Sequence, residues 1–110
     1  MSVATTPARA AYPWPADLLE FARREGVADQ LDPILDLTRR LFPTASKIEV
    51  VLEQDHELRD VWAIVYNVWL DGMAVELYQA IKRQWQDERR QLLRRADPCL
   101  FVLLPSWSKA

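Results

Sequence analysis

A chain of 110 residues, half of them hydrophobic and only two of them glycine, is long enough to bury a core as one domain and too apolar to remain disordered. The net charge of −2 speaks against generic nucleic-acid binding, and the lone cysteine, Cys99, rules out an internal disulfide and makes a reducing cytoplasm the expected setting. The first residues carry no apolar core of signal-peptide length, and no window approaches the roughly 18 apolar residues of a membrane span, so a soluble, non-exported protein is expected. The charge is unevenly spread. Residues 1–60 carry seven Lys/Arg against eleven Asp/Glu, and residues 61–110 carry seven against five, a split that suits head-to-tail or helix-to-helix association more than generic nucleic-acid binding.

Residues 1–12, rich in Ala, Thr and Pro, read as a flexible tail ahead of a single domain over 13–105, with a short C-terminal tail at 106–110. A short helix is expected from Ala16 to Glu25. Asp17 and Glu20 lie in its first half, Arg23 and Arg24 in its last turn, and Gly26 just beyond, the charge order and stop residue that a helix prefers. A second helix is expected over about 28–42, entered at Asp32-Pro33 or earlier. Ile34, Leu37 and Leu41 form its apolar stripe, Leu31 lengthens that stripe if the helix starts early, and Pro43 ends it.

Ile48, Val50 and Leu52 then alternate with Lys47, Glu49 and Glu53, the pattern of a strand with one wet face. After a polar connection comes the most constrained stretch, 61–69. Its alternate positions are Trp62, Ile64, Tyr66 and Val68 on one face and Val61, Ala63, Val65, Asn67 and Trp69 on the other, so neither face suits water and both call for a cover. Asp71-Gly72 stops it. From about Met73 to Arg95 a long helix carries Leu77, Ile81, Trp85 and Leu92 on one stripe, widened by Met73, Ala74 and Tyr78. Asp97-Pro98 breaks the helix, and the apolar run Cys99 to Leu104, closed by Pro105, reads as a last strand. The expected fold is therefore α+β in the order α-α-β-β-α-β. Strand 61–69 sits at the centre of a three-stranded sheet, the long helix crosses over one face, and the other face awaits the N-terminal helices or a partner.

The chemistry-bearing residues are few. His56 lies in an acidic run with Glu53, Asp55, Glu57 and Asp60, but one histidine in a turn has no metal-ligand spacing, and a solvated turn is the plainer reading. Cys99, at the head of an apolar strand, reads as a buried thiol. Gly26 and Gly72 stand apart, so no glycine-rich phosphate loop is present. No catalytic residue, cofactor or metal ligand is assigned. The long helix ends in Lys82, Arg83, Arg89, Arg90, Arg94 and Arg95 against Asp87 and Glu88. These are either an anion or nucleic-acid surface, with Arg83, Arg89, Arg90, Arg94 and Arg95 as its residues, or a solvated face that complements the helix dipole. Five tryptophans are many for this length. Trp62, Trp69 and Trp85 suit a core, while Trp14 and Trp107, near the termini, suit either an interface or lids folded back on the domain; Trp14, Trp69 and Trp107 are the candidate interaction residues.

The run from Lys47 to Glu53, the Glu53-x-Asp55-x-Glu57 turn, the strand Trp62 to Val68, the helix with a central Trp85 and the closing apolar strand together resemble a group of small uncharacterised bacterial α+β proteins. In that group the turn reads Glu-x-Asp-Pro-Glu, and His56 stands here at the proline position. The similarity covers about residues 40–105. It implies the fold and a bacterial, cytosolic setting, and it carries no activity and no site. The expected function is that of a non-enzymatic interaction protein or accessory subunit, a homodimer or the small partner of another protein, with a nucleic-acid accessory factor as the alternative.

Overall fold

The computed structural model describes residues 12–54, 62–93 and 100–107. Helix α1 (Ala16–Arg24) and helix α2 (Leu31–Leu41) are joined by a 3-10 turn, Ala28–Gln30; strands β1 (Lys47–Gln54) and β2 (Trp62–Leu70) follow, then helix α3 (Val75–Leu92) and strand β3 (Phe101–Trp107). The fold is α+β in the expected order. The sheet runs β1-β2-β3, with β1 antiparallel and β3 parallel to the central β2.

Local chemistry sets the helix ends. Gly26 takes φ +74, the left-handed conformation glycine adopts without a Cβ penalty, and its N–H reaches the Arg23 carbonyl while Val27 N–H reaches that of Ala22, closing α1 as the sequence suggests. Helix α2 starts at Leu31, so Asp32 and Pro33 lie in its first turn and Leu31 joins the buried stripe with Ile34, Leu35 and Leu37. Starting there costs no hydrogen bond, because Pro33 occupies a position whose N–H has no intrahelical partner.

Several boundaries move. Tyr12, placed by sequence in a tail, docks on the sheet: its hydroxyl accepts the Val50 N–H at 2.9 Å, satisfying a donor on the outer side of edge strand β1. Strand β3 runs through Pro105 to Trp107, and proline is tolerated there because β3 is an edge strand that needs only one side of its backbone paired. Helix α3 ends at Leu92, short of Arg95. Its buried line is also different. Tyr78 and Trp85, two turns apart, face the core with Leu93 beyond the helix end, whereas Leu77 is 52% and Leu92 39% exposed. One residue of offset turns a side chain about 100° around the axis, enough to carry Leu77 out of a contact that Tyr78 makes.

All three helices lie on one face of the sheet. A single cluster joins Leu18, Phe21 and Ala22 of α1, the α2 stripe, and Tyr78 and Trp85 of α3 to Val50, Ile64, Tyr66, Val68, Leu70, Phe101 and Leu103. Trp85 and Tyr66 are hydrogen-bonded across elements and Thr38 within α2, while the buried Tyr78 hydroxyl has no partner among the described residues. The Trp85 indole N–H donates to Thr38 Oγ1 at 2.9 Å, the Thr38 hydroxyl donates to the Ile34 carbonyl at 2.7 Å, and the Tyr66 hydroxyl donates to the Leu31 carbonyl at 3.0 Å. These bonds fix which turn of α2 meets which residue of α3 and β2, since a shift by one residue would strand a buried polar group.

Candidate functional site

The strand pairing places a second set of side chains on the sheet face opposite the helices. Across the three strands its rows are Lys47, Trp69 and Ser106; then Glu49, Asn67 and Leu104; then Val51, Val65 and Val102; and at the far end Glu53 beside Ala63. None of these residues belongs to the core cluster or packs against it. Val65, between Val51 and Val102, is nevertheless only 4% exposed, while Leu104 is 39% exposed and Trp69 is half-buried. No helix among the described residues covers this face.

The face has internal order. The Lys47 ammonium sits 5.0 Å from the centre of the Trp69 ring, a cation–π contact that holds both side chains along the sheet. Ser106 donates from its hydroxyl to the Asn67 side-chain carbonyl at 3.0 Å, tying β3 to β2. The middle is a valine row, and the charges sit on edge strand β1: the positive one at the Lys47 end, and negative ones at Glu49 and at Glu53.

The three candidate tryptophans separate. Trp69 is on the face opposite the helices. Trp107 is on the helix side, 42% exposed, where its ring meets Tyr78 edge-on at 5.6 Å and its N–H donates to the Met73 carbonyl. Trp14 stacks edge-on with Tyr12 at 4.6 Å and donates to Asp32 at 3.2 Å. Trp14 and Trp107 are thus lids on the helical side. Trp62, which the pattern allows as core, is 40% exposed at the outer end of β2.

The basic end of α3 separates too. Arg89 turns inward: its guanidinium lies 5.2 Å from the Trp85 ring and its Nη1 donates to the Phe101 carbonyl at 2.6 Å, anchoring α3 to the start of β3. Arg83 and Arg90 are exposed. Arg94 and Arg95 lie outside the described residues, as do Cys99 and, in the acidic turn, Asp55, His56, Glu57 and Asp60. Between α2 and α3 a hollow of about 660 Å³ is lined by Pro33, Leu37 and Leu92 together with Asp36, Arg40, Glu88 and Gln91. Arg40 and Glu88 pair across it, and bonds from Gln84 and then Arg40 hold the Glu88 carboxyl below its usual range. Among the described residues no group of three or more His, Cys, Asp or Glu stands close enough to hold a metal, and no helix is long and apolar enough to cross a membrane.

Sequence could not separate these roles. A strand that is apolar on both faces shows that two covers are called for, but which cover the chain supplies depends on where the helices dock. Arg89 belongs to no motif and carries no signal beyond its spacing of four from Trp85, which places both on one helix face. No protein-family model, no curated protein and no solved structure matches this chain.

Proposed function

We propose that the protein is a non-enzymatic interaction domain whose working surface is the uncovered sheet face, and that a second copy of the chain is what covers it. The observation behind this reading is the valine row Val51, Val65 and Val102, extended by Leu104 and Trp69, on a face that none of the described helices packs against. Apolar surface gathered on one face gains free energy when water is excluded from it, and a sheet face does so by stacking on another about 10 Å away. Three strands of about seven residues offer a flat area on the order of 300–400 Å². That is well below the roughly 800 Å² per partner of a standard stable complex, so the expected dimer is reversible.

Sedimentation velocity over a micromolar concentration series tests this. Wild-type protein is expected to shift from monomer towards dimer, and Leu104→Arg, at a position already open to water in the single chain, to stay monomeric with an unchanged circular dichroism spectrum. A wild-type monomer throughout the series, or a dimer indifferent to Leu104→Arg, would overturn the reading. Retention of labelled DNA or RNA at low salt, released steeply as salt rises, would instead promote the exposed Arg83 and Arg90 and the nucleic-acid alternative.

A further inference from the structure

The two edges of the sheet are closed by different means. Strand β3 carries Pro105, which has no N–H to offer a further strand. Strand β1 has no proline in its eight residues, and Ile48, Val50 and Val51 suit it to strand pairing. Alternate residues of an antiparallel strand turn their N–H and C=O away from the neighbour, so Val50, and with it Ile48 and Leu52, presents its backbone groups at the outer edge. The Tyr12 hydroxyl sits there in place of a strand, accepting the Val50 N–H at 2.9 Å with the Val50 carbonyl 3.5 Å away. We infer that Tyr12 is a removable guard on this edge, and that β1 of a second copy takes its place when segment 12–15 lifts.

The guard is held from outside the core. The Tyr12 ring meets Trp14 edge-on at 4.6 Å, the Trp14 N–H donates to the Tyr12 carbonyl at 2.9 Å, and the Trp14 indole is pinned to Asp32 by an exposed bond of 3.2 Å. Both rings are half-buried, whereas Val50 beneath them is fully buried, so the segment can lift while the core stays closed, leaving the Val50 N–H in want of a partner. A second copy supplies one. Antiparallel pairing of β1 with β1, about a two-fold axis perpendicular to the sheet at Val50, joins the two Val50 residues by both backbone bonds and sets Ile48 opposite Leu52. Lys47 of each copy stands opposite Glu53 of the partner subunit, a favourable cross-strand pair, and Glu49 stands beside Val51 on the face opposite the helices, where its carboxylate reaches water. This contact continues the sheet in its own plane and does not rest on the face-to-face reading.

Tyr12→Phe keeps the ring and removes the hydroxyl, and is tested in a Leu104→Arg background so that contact through the opposite face does not contribute. In dilute protein, amide hydrogen exchange at Val50 is expected to speed up by roughly tenfold, while Val51, whose N–H turns toward β2, keeps its protection. As concentration rises, sedimentation velocity is expected to show a dimer that the protein with Tyr12 does not form, and protection at Val50 is expected to return with it. Leu52→Pro, which removes an outward N–H and leaves the bonds to β2 in place, is expected to abolish that dimer. Ile48→Pro repeats the measurement should Leu52→Pro alter the circular dichroism spectrum. Unchanged exchange at Val50 overturns the guard, as does a dimer sensitive to Leu52→Pro that forms with Tyr12 in place. A lifted guard without a dimer, or a dimer indifferent to both prolines, overturns the pairing with a second copy. The face opposite the helices is judged separately, by Leu104→Arg with Tyr12 intact.

Discussion

The two faces of one three-stranded sheet are built from the same central strand and meet different fates. On the helical face Ile64, Tyr66 and Val68 are fully buried and every neighbour is supplied by the chain: α1 and α2 from before the sheet, α3 from the crossover. On the opposite face Ala63, Val65, Asn67 and Trp69 have only their strand neighbours for company among the described residues. The contrast shows that apolar composition in a strand sets how much cover is needed and not where it comes from. The helical face is bound by interlocked polar contacts as well as by burial. Among the described residues, the other carries a cation–π contact and a hydroxyl-to-amide bond, which order its side chains.

Removing the centre of the helical face should give the largest effect. Trp85, fully buried, donates to Thr38 and faces Tyr66 with ring centres 6.2 Å apart, so Trp85→Ala is expected to cost about 3–5 kcal/mol in urea unfolding. A loss under about 1 kcal/mol would mean that the helical face is not the core. Arg89→Gln comes next. It removes a charge-assisted bond to the Phe101 carbonyl and the stacking on Trp85, at an expected cost of about 1.5–3 kcal/mol. Equivalent substitution of the exposed Arg90 should shift stability by less than about 0.5 kcal/mol, so the pair of measurements separates an anchoring arginine from a solvated one.

Two buried tyrosines sharpen the contrast within the core. Tyr66 has a partner and Tyr78 has none among the described residues, so Tyr66→Phe is expected to cost about 1 kcal/mol while Tyr78→Phe is neutral or slightly stabilising. Burial raises both phenols above their ordinary value of 10, Tyr78 to about 12 and Tyr66 further, the latter helped by the nearby Asp32 charge. A raised folded pKa means that the native state holds its proton while the unfolded state gives it up. The stability is therefore complete below pH 10 and falls as pH rises through 10 to 12 and beyond. Urea titrations at pH 8 and at pH 11 should show that fall, reduced to a similar extent in Tyr78→Phe and in Tyr66→Phe, because at pH 11 both native phenols still hold their protons.

The smallest expected effect is on the face opposite the helices. Leu104→Arg should leave the unfolding free energy of the dilute monomer within about 0.5 kcal/mol of wild type, although it is expected to abolish the proposed self-association. A loss comparable to that of Trp85→Ala would show that some part of the chain already covers Leu104 in the monomer. The two faces would then be alike.

By itself the sequence determined the order of elements and their kinds. Period-two alternation marked Ile48, Val50 and Leu52 as a half-wet strand, Gly26 and Pro43 marked helix ends, and the doubly apolar run ending at Trp69 marked the central strand, because these signals arise from neighbours a few residues apart. The tertiary structure decided the rest. That α1 and α2 lie on the same side as α3, that Tyr78 and not Leu77 faces the core, that Arg89 turns in and Trp107 closes over Tyr78 all depend on contacts between segments distant in the chain. A helix of this kind offers several apolar stripes of similar breadth, and the one that is buried is chosen by the shape and the hydrogen-bonding groups of the partner it meets.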